Sequence, residues 1–110
     1  MSGFEVYRKQ RHPRDAKPVV VASPNGVLRF RVAAMPLIEG VTHVQMLWDD
    51  ETHRAALRPA TAADEAAYSV TRHPSQSQAL VHATLFTRLH QLAGEFELVR
   101  DGELLIMEPA

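Results

Sequence analysis

Apolar and polar positions alternate with period two over much of this chain, as half-buried β-strands do. Val19–Ala22 is a β-branched run. From Val27 to Val32, Leu28, Phe30 and Val32 fall on one face and Val27, Arg29 and Arg31 on the other. His43–Trp48 alternates again, with Val44, Met46 and Trp48 on the apolar face. His53–Arg58 follows as a strand that Pro59 ends. Later stretches at 67–71, 77–81, 96–100 and 103–107 read the same way, and Phe4–Tyr7 reads as a short strand. Turn signals separate them. Ser23-Pro24-Asn25-Gly26 holds an Asn-Gly pair whose residues tolerate positive φ. Asp49–Thr52 and Arg72–Gln76 are polar turns, and Asp101-Gly102 is a tight hairpin turn. Two segments break the alternation. Ala33–Glu39 predicts one or two helical turns stopped by Gly40. Ala83–Leu92 predicts the best helix, with Leu85, Leu89 and Leu92 on one face and Phe86 beside them.

The order hairpin, helix, hairpin occurs twice. An offset of 50 residues sets Val20 on Val70, Phe30 on Leu80, Met46 on Phe96, Trp48 on Leu98, Leu57 on Met107 and Pro59 on Pro109. A duplicated unit is therefore expected. It has a basic N-terminal arm at 1–18, a first repeat at 19–59, a polar connector, and a second repeat at 67–110. All belong to one compact, mainly β domain with short helices (α+β), a barrel of two tandem β-β-α-β-β units.

Composition changes this picture only through charge. The chain has 110 residues, no Cys and a formal charge of −1, which at first sight excludes a nucleic-acid binder. The total is a cancellation. Residues 1–31 hold seven cations (Arg8, Lys9, Arg11, Arg14, Lys17, Arg29 and Arg31) and two carboxylates, whereas residues 32–110 hold five cations and eleven carboxylates. Such asymmetry points to a charged partner for one end. Without Cys there are no disulfides, which fits a reducing compartment. No apolar run is long enough for a membrane span, and the polar start does not read as a secretory signal, so a cytoplasmic protein is expected.

The stretch Val19–Phe30, with Val44-Gln45-Met46-Leu47-Trp48-Asp49-Asp50 and Ala55-Ala56-Leu57-Arg58-Pro59, resembles the swapped-hairpin unit of the AbrB/MazE-type DNA-binding family. It departs from that family in having Asn25 before the turn glycine and Pro36 displaced within the helix. The chain is also similar to small proteins of actinobacteria, their phages and plasmids. The family resemblance implies an interleaved β-barrel of two units, usually supplied by two chains, and a role as transcriptional regulator or as the antidote half of a toxin–antitoxin pair.

Little else in the sequence points to chemistry. His82 and His90 would stand about 12 Å apart on a helix, too far to share an ion. Ser23, Ser69, Ser75 and Ser77 lie in no nucleophile elbow, and there is no Walker or GxGxxG loop. No enzyme activity, metal or other cofactor is expected. The expected function is DNA binding by a regulator of a bacterial, phage or mobile-element locus. Arg29 and Arg31, about 6.6 Å apart on one strand face, would read the duplex. Arg8, Lys9, Arg11, Arg14 and Lys17 would grip phosphates. The alternatives are a protein-interaction module, antitoxin-like or a phage-encoded inhibitor, that uses the acidic second repeat, and a homodimer without either activity.

Overall fold

The computed structural model describes residues 17–72 and 78–109. Eight strands account for most of them: β1 (Val19–Ala22), β2 (Val27–Phe30), β3 (His43–Asp49), β4 (Arg54–Ala60), β5 (Tyr68–Arg72), β6 (Ala79–His82), β7 (Gly94–Asp101) and β8 (Leu104–Pro109). A 3-10 helix, Val32–Ile38, follows β2, and helix α1, Thr84–Leu89, follows β6. The strands form one closed antiparallel barrel in the order β1-β2-β6-β5-β3-β4-β8-β7, with β7 returning to β1.

Sequence neighbours pair as four hairpins, β1–β2, β3–β4, β5–β6 and β7–β8. The two hairpins of one unit do not pair with each other. Every other ladder joins the units: β2 with β6, β4 with β8, β1 with β7 and β3 with β5. Exchanging the units maps this set of ladders onto itself, so the barrel has approximate two-fold symmetry. Each unit supplies the sheet neighbours the other lacks, and the barrel closes within a single chain.

The interior is filled by one parity of each strand, as the pleat requires. Val20 and Ala22, Leu28 and Phe30, Val44, Ala55 and Leu57, Ala79 and Val81, Leu98, and Leu105 and Met107 are all buried. Ala34 and Ile38 of the 3-10 helix and Ala83 before α1 complete the cluster.

Three sequence expectations change. The 50-residue offset does not hold through the first hairpins. Val20 pairs with Phe30, ten residues on, but Val70 pairs with Val81, eleven on. A one-residue slip reverses the face of every later side chain in that strand. Leu80 therefore lies outward beside Arg29, and Ala79, directly opposite Phe30, turns inward. Pro59 does not end its strand: β4 runs to Ala60, and Pro59 still pairs with Val44 after the β8 ladder has stopped at Leu57. Finally, α1 is six residues long, and its Leu85 and Leu89 are 80% and 76% exposed. Thr87 and Phe86 face the core instead. The helix stops where Gln91 turns to φ 53°, with Gln91 N–H donating to Arg88 O and Leu92 N–H to Thr87 O. This is a Schellman-type end, and it sends Leu92 back against the core from outside the helix.

Candidate nucleic-acid interface

Arg29 sits at the centre of an outward row, Val21–Arg29–Leu80–Thr71, that crosses β1, β2, β6 and β5. It is exposed and has no hydrogen-bond or ion-pair partner among the described residues. Arg31 lies just past the end of β2, where its N–H donates to Val19 O. Its guanidinium meets the Glu95 carboxylate of β7 at 3.4 Å. The expected pair on one strand is thus one arginine in the ladder and one at its exit, in different electrostatic settings. Lys17 lies 3.8 Å from Glu97. Arg8, Lys9, Arg11 and Arg14, like the expected strand Phe4–Tyr7, lie outside the described residues.

The charge difference between repeats does not produce a basic repeat face and an acidic one. Ion pairs join Lys17 to Glu97, Arg31 to Glu95, Arg54 to Glu108 and Arg58 to Glu103. Each takes its carboxylate from the second unit and its cation from the first unit or, for Lys17, from the arm just before it, because β1 runs beside β7 and β4 beside β8. Exposed pairs of this kind are worth about 0–1 kcal/mol each. Their larger consequence is local neutralisation of Arg31 and Lys17.

A different segregation emerges from the strand order. The first hairpins of both units lie together as β1-β2-β6-β5, and the second hairpins as β3-β4-β8-β7. Residues 17–31, 68–72 and 78–82, which build the first side, hold Lys17, Arg29, Arg31 and Arg72 and no carboxylate. Residues 43–60 and 94–109, which build the second, hold eight carboxylates and three arginines. The barrel is polarised by hairpin, and Lys17 and Pro18 lead into β1, the strand of the basic side that borders β7.

Arg72 was not among the candidates read from sequence. Its Nη2 donates to Ile38 O at 2.5 Å and Val41 O at 2.6 Å, while Arg100 Nη2 reaches Leu37 O at 3.3 Å. Two arginines of the second unit thus hold the carbonyl end of the first unit's 3-10 helix, where cations are favoured. No local signal announces such contacts, which span 31 to 63 residues.

Trp48 is half-buried on the carboxylate-rich side. Its indole stacks on the His90 ring at 3.9 Å between centroids, and its Nε1–H donates to Asp50. Nearby, the Asp49 carboxylate is held below its ordinary pKa, chiefly by the Glu51 N–H and further by Thr52. This is a hydrogen-bonded turn of the β3–β4 hairpin, and among the described residues no three His, Asp or Glu side chains form a metal-ligand group.

No protein-family model, curated protein or solved structure matches the chain. Among the described residues no helix is long and apolar enough to cross a membrane.

Proposed function

We propose that this protein binds duplex DNA, as a regulator of gene expression, through the β1-β2-β6-β5 side of its barrel and its basic N-terminal arm. One observation carries the reading: the four adjacent strands β1-β2-β6-β5 and the residues flanking them hold Lys17, Arg29, Arg31 and Arg72 without a carboxylate, and Arg8, Lys9, Arg11 and Arg14 precede β1 in the sequence. Phosphate contacts supply most non-specific affinity, and a side free of carboxylates avoids repelling the duplex. Arg29 is exposed and, among the described residues, has no hydrogen-bond or ion-pair partner to exchange for a phosphate. Arg31 and Lys17 contribute by exchanging Glu95 and Glu97 for phosphate oxygens. The exchange of hairpins between units is what the AbrB/MazE-type resemblance implied, and it supports carrying that family's DNA-binding role to this chain.

A low-salt mobility-shift experiment on random duplex DNA tests the reading. Arg29→Ala/Arg31→Ala should weaken binding several-fold with an unchanged melting temperature, since both side chains lie outside the core. Binding equal to that of the unaltered chain would sink it.

A further inference from the structure

The outer surface of the carboxylate-rich side carries an apolar row across four strands. Leu47 of β3 pairs with Ala56 of β4, Ala56 with Ile106 of β8, and Ile106 with Val99 of β7. All four point outward, because Leu57, Leu98, Leu105 and Met107 beside them fill the interior. Val99 is 40% exposed, Leu47 and Ile106 are half-buried, and the small Ala56 between them is buried beneath its neighbours. A hollow opens over Leu47, Ala56, Leu104 and Ile106, with Asp49 and Arg54 at its edge. The flanking rows are mostly charged or polar: Asp49–Arg54 with Glu108–Glu97 on one side, and Gln45–Arg58 with Leu104–Asp101 on the other, where Leu104 alone widens the apolar strip. A contiguous apolar strip inside a polar rim marks a surface that something covers.

The chain itself supplies a candidate at the end of this row. Leu98 N–H donates to Pro18 O at 2.8 Å, and Val19 pairs with Glu97. Continuing that antiparallel register sets position 17 opposite Val99, the β7 end of the row. Sixteen residues precede Lys17. They carry Phe4, Val6 and Tyr7, followed by Arg8, Lys9, Arg11 and Arg14. Tyr7 stands ten residues from Lys17, an extended reach of up to about 33 Å. Four strands span only about 14 Å. Charge agrees with length, because a cationic segment would face the side that holds eight carboxylates and three arginines.

We infer that the apolar row is the docking site of this chain's own residues 4–14. Phe4, Val6 and Tyr7 cover Leu47, Ile106 and Val99, and Arg8, Lys9, Arg11 and Arg14 lie among the rim carboxylates. This docking involves no nucleic acid and stands or falls apart from the DNA-binding reading. Where both hold, DNA and the acidic side compete for the same four cations.

Limited trypsin digestion of the full chain in low salt, without DNA, tests the inference by following cleavage after Arg8, Lys9, Arg11 and Arg14. Cleavage of the unaltered chain should be about ten-fold slower than that of Phe4→Ser/Tyr7→Ser, since proteolysis follows the undocked population. Leu47→Asp and Ile106→Asp should release the same protection. If either fails to fold, the Phe4/Tyr7 variant still decides the question, because it alters no residue of the barrel. Equal cleavage rates in the unaltered chain and the Phe4/Tyr7 variant would overturn the inference. Protection that rises with protein concentration would also overturn it, in favour of docking by the arm of a second copy.

Discussion

Gly26 shows how much one residue can fix. In the turn Ser23–Gly26 the Gly26 N–H donates to Ser23 O, and the Ser23 N–H to Val27 O. The hairpin loop thus has three residues and ends in a bulge at Gly26, whose φ is 87°. Asn25 keeps negative φ, so the Asn-Gly signal located the turn through its glycine alone. Gly26 O also accepts the Ala83 N–H at 2.9 Å, which draws the start of α1 onto the turn. A Cβ at Gly26 would lie 2.5 Å from Thr84 Cα, a backbone atom that cannot step aside. Gly26→Ala should therefore destabilise the fold by about 2–4 kcal/mol, combining a left-handed conformation with a steric clash. Urea denaturation measures it, and a loss below about 0.5 kcal/mol, the range of an ordinary surface change, would contradict this account. The turn was legible in sequence. The approach of Thr84 was not, because it joins residues 58 positions apart.

Strands were read well, and helices less so, because their signals differ in kind. A strand with one wet face must alternate, and the faces of 27–30, 43–49 and 94–101 follow directly from Leu28, Phe30, Val44 and Leu98. An apolar stripe on a short helix does not say which side the protein covers. Leu85, Leu89 and Leu92 share a face only if the helix continues, and Gln91 ends it first. Thr87, a polar residue, takes the buried position, with its hydroxyl donating to Thr84 O at 3.1 Å. Leu85→Glu/Leu89→Glu should accordingly change stability by no more than about 0.5 kcal/mol for each substitution. Leu57→Ala in the closed interior should cost about 2–5 kcal/mol. Comparing the two by thermal denaturation separates this arrangement from the leucine-faced helix the sequence suggested, in which both changes would be severe.

For the whole molecule, interleaving explains both the charge pattern and the assembly. Neither unit has a hairpin-to-hairpin ladder of its own, so neither is expected to hold a barrel half in isolation. A protease site inserted in the connector at residues 61–66 should allow cleavage while the two pieces remain together on gel filtration. Separation into independently folded halves would contradict the topology. The twofold element order was visible in sequence. The polarity of the barrel was not, because counting charge by repeat mixes the two sides that the strand order β1-β2-β6-β5-β3-β4-β8-β7 keeps apart. Arg29 belongs to the side without carboxylates, and Arg58 to the side rich in them, where its Nε donates to Gln45 Oε1 at 2.8 Å. The most direct measurement is the affinity of full-length protein for random duplex DNA against salt concentration, for the unaltered chain, Arg29→Glu and Arg58→Glu. The account predicts that Arg29→Glu weakens binding at least ten-fold and lowers the slope of log affinity against log salt by about one, as loss of a phosphate contact does, while Arg58→Glu leaves both nearly unchanged. Equal effects of the two reversals, or an affinity that does not respond to salt, would contradict it.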